Sequence, residues 1–143
     1  MSEFMILASD FPLEEVPPPP GLEIFWEPGK REAEYRNAGR GFAVFALDWF
    51  PEIQTEKVYS FHLDIYGGEE ALAAYLREEL EKAGEIEFWH VWLDGSFDHR
   101  IRQVEIGADE LTAEDIRELE QLEVWQEDPV MGRPTDYCYL LTE

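Results

Sequence analysis

Three histidines, His62, His90 and His99, stand closest to chemistry in this chain. With Asp64, Asp94 and Asp98 they form the set of side chains suited to acid–base work or to a divalent metal. His62 and Asp64 are two residues apart, so on a strand they share a face. Asp98 and His99 open a later strand, expected to lie beside the first, and His90 falls in a third. The catalytic candidates are therefore His62, Asp64, His90, Asp98 and His99. No spaced pair of the His-Glu-x-x-His, Cys-x-x-Cys or His-x-His kind reinforces them. With 33 acids in 143 residues, a carboxylate beside a histidine also arises by chance. Surface histidines are the plainer reading, and no metal and no cofactor are expected.

Other reactive groups point the same way. Cys138 lies between Tyr137 and Tyr139, where a cysteine serves as a small core hydrophobe. A thiolate nucleophile needs an electropositive setting, which this chain is short of. Glu69-Glu70 and Glu114-Asp115 open helices, where the helix dipole favours carboxylates. The glycines at Gly39, Gly41, Gly67 and Gly68 lack the phosphate-loop pattern.

Charge sets the broader limits. The chain carries 33 Asp and Glu against 11 Lys and Arg, a formal net of −22. Such a surface repels polyanions, so neither nucleic acid nor an anionic membrane is an expected partner. The acids are dispersed: the net is −5 over residues 1–50, −8 over 51–100 and −9 over 101–143. An apolar fraction of 45% with 14% aromatics separates the chain from disordered acidic tails. Lys30, Arg31, Arg36 and Arg40 gather four of the eleven bases in one glycine-bracketed stretch, read as a loop. No apolar run approaches the roughly 20 residues of a membrane helix. Met1-Ser2-Glu3-Phe4 lacks the basic start and long apolar core of a signal peptide. One cysteine fits a reducing compartment, so the expected location is cytoplasmic.

The elements that must position these side chains follow from periodicity. Residues 4–9 read as a strand, and Pro17-Pro18-Pro19-Pro20-Gly21 as a stiff polyproline connector. Residues 22–26 and 41–49 are further strand candidates that could pair as a hairpin. From residue 57 the pattern sharpens. Residues 58–66 alternate, with Tyr59, Phe61, Leu63 and Ile65 on one face and Ser60, His62 and Asp64 on the other. Residues 69–83 place Leu72, Tyr75, Leu76, Leu80 and Ala83 on one helical stripe ahead of Gly84. Strands are expected at 86–93 and 100–106. Thr112 and Asp115 form a capping box, with Leu111 and Ile116 as its hydrophobic staple. A last strand covers 136–141.

The expected fold is a single α+β domain over 1–143. Residues 57–143 form a ferredoxin-like βαββαβ core, a mostly antiparallel sheet with two helices on one face. Residues 1–50 form a β extension at an edge or over part of the sheet. One feature strains this arrangement. Residues 86–93 are apolar on both faces, with Phe88 and Trp92 on one and Trp89, Val91 and Leu93 on the other. Either the N-terminal segment or a partner must cover the second face.

Met5–Asp10, Glu85–Gly95 and Glu105–Leu119 resemble segments of small, acidic bacterial proteins of unknown function. The resemblance covers about a third of the chain and carries over no functional residue. Size and acidity are also similar to those of immunity proteins that neutralise toxins, a likeness of composition. The expected function is a binding module for a basic protein partner, anchored by Trp26, Trp49, Trp89, Trp92 and Trp125. The alternatives are an acid–base or metal-dependent enzyme at His62, Asp64, His90 and His99, and a structural or self-associating domain such as a homodimer.

Overall fold

A computed structural model describes residues 2–17, 41–46, 55–93, 100–122 and 135–143. Its elements in chain order are β1 (Ser2–Ser9), β2 (Phe42–Ala46), β3 (Tyr59–Ile65), α1 (Glu69–Ala83), β4 (Glu85–Leu93), β5 (Arg100–Gly107), α2 (Ala113–Gln121) and β6 (Thr135–Thr142). The strands form one six-stranded sheet in the order β2-β3-β1-β4-β6-β5. Every neighbouring pair is antiparallel except β5 and β6, which run parallel. The fold is therefore α+β with a mostly antiparallel sheet and two helices.

The ferredoxin-like order expected from residue 57 onward is not what forms. In that order β5 would lie between β3 and β4, and β6 beside β3. Instead β1 takes the slot between β3 and β4, and β6 enters between β4 and β5. Burial explains the exchange. β1 is apolar on both faces, Ile6, Leu7 and Ala8 being fully buried, and such a strand belongs inside a sheet. β5 is exposed from Ile101 to Glu105, including Arg102 and Gln103, which suits an edge. The N-terminal strand is thus central, not an extension. The other early expectations, a strand at 22–26 and its hairpin, lie outside the described residues.

Both helices bury their stripes against the same sheet face. Leu72, Leu76 and Leu80 of α1 join Ile116 and Leu119 of α2 over Leu7, Leu63, Phe88 and Leu141. Each fully buried leucine contributes about 1.5–3 kcal/mol. α1 ends where Gly84 adopts φ 78° and its N–H donates to the Leu80 carbonyl. α2 starts with the capping box: Asp115 N–H donates to Thr112 Oγ1 at 3.3 Å, and Thr112 N–H to Asp115 Oδ2 at 2.8 Å. On the opposite sheet face Ile6, Ala8, Trp89, Val91 and Cys138 form a second buried cluster. The doubly apolar β4 therefore needs no partner to cover Trp89 or Val91.

The chain after β1 closes one sheet edge. Val16 and Val44 exchange backbone hydrogen bonds of 2.7 and 2.8 Å, and the Glu15 carboxylate accepts from Ala46 N–H at 2.7 Å. The same segment is pinned to α1. Tyr75 donates to the Glu14 carbonyl at 2.6 Å, and the buried Glu79 carboxylate accepts from Glu14 N–H.

Candidate functional site

The ladder between β1 and β3 runs from Ser9 opposite Tyr59 to Met5 opposite Leu63 and stops there. Beyond that point each strand follows its other neighbour. Phe4 stays with Val91 of β4, while Asp64 and Ile65 stay with Ala43 and Phe42 of β2. The sheet forks at the carboxyl end of β3. Glycine allows a close approach on the β2 side of the fork. The Gly41 carbonyl accepts from Tyr66 N–H at 2.8 Å and Gly68 N–H at 3.1 Å, tying the end of β3 to the start of β2. Gly41 has φ 81°, and a Cβ there would stand 2.8 Å from the Gly68 Cα.

A cleft of about 360 Å³ occupies the fork. Its apolar wall is Phe4, Met5, Leu63 and Ile65, and its titratable groups are His62, Asp64, His90 and Glu120. Successive strand residues point to opposite faces. A fork explains why Phe4 and His62, from one face, share a cleft with Met5 and His90, from the other.

His62 Nε2 lies 3.0 Å from Asp64 Oδ1, so the two-residue spacing does place the pair together. The imidazole also packs against two rings, Phe45 at 5.0 Å and Phe4 edge-on at 5.6 Å. His90 is buried, and its Nδ1 is 2.7 Å from the Leu119 carbonyl. A carbonyl only accepts, so Nδ1 carries the hydrogen. Glu120 completes the set. Burial pushes its carboxyl from 4.5 up to about 7, the Glu69 charge adds to the rise, and Arg117 opposes it. Its Oε1 is sealed from solvent and accepts no hydrogen bond among the described residues.

The structure thus brings His62, Asp64 and His90 into one cleft. Asp94, Asp98 and His99 lie outside the described residues. The strand that follows them does not neighbour β3 as expected: β1, β4 and β6 stand between. The exposed character of β5 sends it to the far edge. Among the described residues no group of three or more His, Cys, Asp or Glu side chains could hold a metal ion. Glu120 was missed by sequence reasoning. A signal existed: it lies four residues after the buried Ile116, on the side of α2 that faces the sheet.

Trp89, expected at an interface, is core: it is 2% exposed and its indole N–H donates to Glu87 Oε1 at 3.0 Å. Trp26, Trp49 and Trp125 lie outside the described residues, as does the side chain of Trp92. Cys138 is fully buried, and that burial, with the Glu87 charge, pushes its thiol up to about 12. It is a packing residue.

No family model matches this chain, and no curated protein and no solved structure is significantly similar to it. The class defined by fold and site is an α+β domain with a forked sheet and an acid-lined cleft. Among the described residues no helix is long and apolar enough to cross a membrane.

Proposed function

We propose that this chain is a protein-binding module that meets a basic partner through its helix layer. One observation carries the reading. On the outward side of the two helices Glu70, Glu78, Glu81, Glu114 and Glu118 are exposed, and each of the three neighbouring bases already has a partner. Lys82 pairs with the buried Glu79 at 3.2 Å, Arg77 donates to the Leu111 carbonyl at 2.6 Å, and Arg117 to Glu114 at 3.4 Å. Exposed acids still outnumber the bases of this layer, so it projects a net negative potential, the condition for steering a cationic surface into contact. In its immunity-like form, the module would cover the basic substrate groove of a toxin. The dispersed net charge of −22 supports a basic partner over a second copy of this chain.

Pull-down from the native host with a salt titration tests the reading. A basic protein should be recovered, its affinity falling with salt and weakening when Glu78 and Glu81 become lysine. Salt-insensitive complexes, or none containing a basic protein, would overturn it.

The fork favours a second reading, acid–base catalysis. A carboxyl titrating near neutrality beside two histidines has the pKa that proton transfer near pH 7 needs. Screening small hydrolysable substrates with wild type and Glu120→Gln tests it, and turnover unaffected by the substitution would exclude it.

A further inference from the structure

We infer that the fork between β1 and β3 is a binding site for a primary alkylammonium, its wall taking the alkyl chain and Glu120 the cation. The argument starts from a missing counter-charge. A carboxylate withdrawn from water is ordinarily paired. Here Oε1 of Glu120 is sealed from solvent without a described partner. Among the described residues, the charged and titratable groups around it are engaged elsewhere or carry like charge. Arg117, on its own helix, donates to Glu114 at 3.4 Å, and Glu69 of α1 is a like charge. His90 of β4 gives its Nδ1–H to the Leu119 carbonyl, and His62 of β3 is held by Asp64.

The geometry narrows the cation. A divalent metal needs several converging ligands, and no such group exists among the described residues. A guanidinium is best held by both oxygens of a carboxylate, whereas Glu120 turns one inward. A single ammonium needs only one oxygen, so it can be held by the one that is not sealed. The apolar wall of Phe4, Met5, Leu63 and Ile65 suits the methylenes behind it. At about 360 Å³ the cleft is near the small end of ligand sites, which run from ~300 to ~1,000 Å³. Asp64 adds a second carboxylate to the lining.

This site stands apart from the helix-layer reading, because reversing Glu78 and Glu81 leaves the fork untouched. The same chemistry can come from a free amine or from a lysine side chain, so the test uses both. Uniformly ¹³C,¹⁵N-labelled wild-type protein is titrated with n-butylammonium chloride, and in parallel with n-butanol and with sodium chloride at equal ionic strength. Saturable shifts at Leu63 and Ile65 are expected with the amine alone, together with a fall in the Glu120 pKa. The sign follows from charge: a bound cation favours the ionised carboxylate. A fall from about 7 to ~6 corresponds to roughly tenfold preference for the ionised form. Binding should then weaken about fivefold or more between pH 8 and pH 5.5. Glu120→Gln should remove the Glu120-dependent part of that weakening.

A lysine capped at both ends supplies the second arm. If it binds at least as tightly as n-butylammonium, the site receives a protein's lysine; if it binds more weakly, the site receives a free amine. Shifts no larger than those from sodium chloride, or n-butanol binding as tightly as the amine, would overturn the proposal. Those wild-type comparisons hold whether or not the Gln variant folds.

Discussion

Replacing Glu120 by glutamine should stabilise the protein at pH 8 and leave its stability nearly unchanged at pH 4. Gln keeps the shape of the side chain and removes the charge that burial penalises. The carboxyl is raised from 4.5 to about 7, with burial the largest cause. At about 1.36 kcal/mol per pH unit, the whole rise would correspond to ~3.4 kcal/mol. Glu120 is only half-buried, so solvent screening reduces this to about 1–2 kcal/mol. The sign is that of an acid whose folded value is raised. Below 4.5 it is protonated in both states, and the cost is absent. Between 4.5 and about 7 the unfolded chain binds fewer protons than the folded one, so stability falls as pH rises. Above about 7 the cost is fully present. Urea denaturation is the assay, because a salt denaturant would screen the charges. With a slope of roughly 1–3 kcal/mol per molar, the midpoint of Glu120→Gln should exceed wild type by about 0.5–1 M at pH 8. The general loss of stability from self-repulsion at high pH affects both proteins alike, so their difference isolates this one group. An equal gain at pH 4 and pH 8, or destabilisation at pH 8, would refute the picture of an uncompensated carboxylate. A stabilising substitution in a cleft is also the pattern expected where a strained group is kept for binding.

Three further outcomes follow from the packing. Gly41→Ala should cost ~2–5 kcal/mol in urea denaturation, combining its positive φ with a Cβ 2.8 Å from the Gly68 backbone; a loss below ~1 kcal/mol would contradict that close approach. Thr112→Ala should cost ~1 kcal/mol. Because Thr112 and Asp115 cap each other, the double alanine variant should lose less than the sum of the two singles, measured by a double-mutant cycle. Cys138, buried and with its thiol pushed up to about 12, should resist iodoacetamide at pH 8 in the folded protein and react only on unfolding, which mass spectrometry can follow.

Local order was legible because it is written in short-range patterns. The alternation at 58–66, the stripe at 69–83 and the Thr112–Asp115 capping box each involve residues a few positions apart. The corresponding elements are β3, α1 and α2. The pairing of His62 with Asp64 was readable for the same reason, since two residues on a strand share a face. The wider site was not. Its members come from β1, β3, β4 and α2, and Glu120 looked like one more solvated acid among 33. Trp89 was misjudged because a tryptophan's burial depends on what packs over it, here the cluster around Ile6 and Cys138.

By themselves, composition and periodicity determined that this is an acidic, aromatic-rich α+β chain with its strands and helices in a given sequence. Strand order belongs to the tertiary structure alone. Any strand can pair with any other, and the winning order is the one that hides the two-faced apolar β1 at the centre and leaves the polar β5 at an edge. The fork comes from the same competition. β1 keeps its pairing with β4 and β3 its pairing with β2, so their own ladder ends at Met5 and Leu63. That divergence opens the cleft and brings Glu120 into it with two histidines, a placement no local spacing encodes.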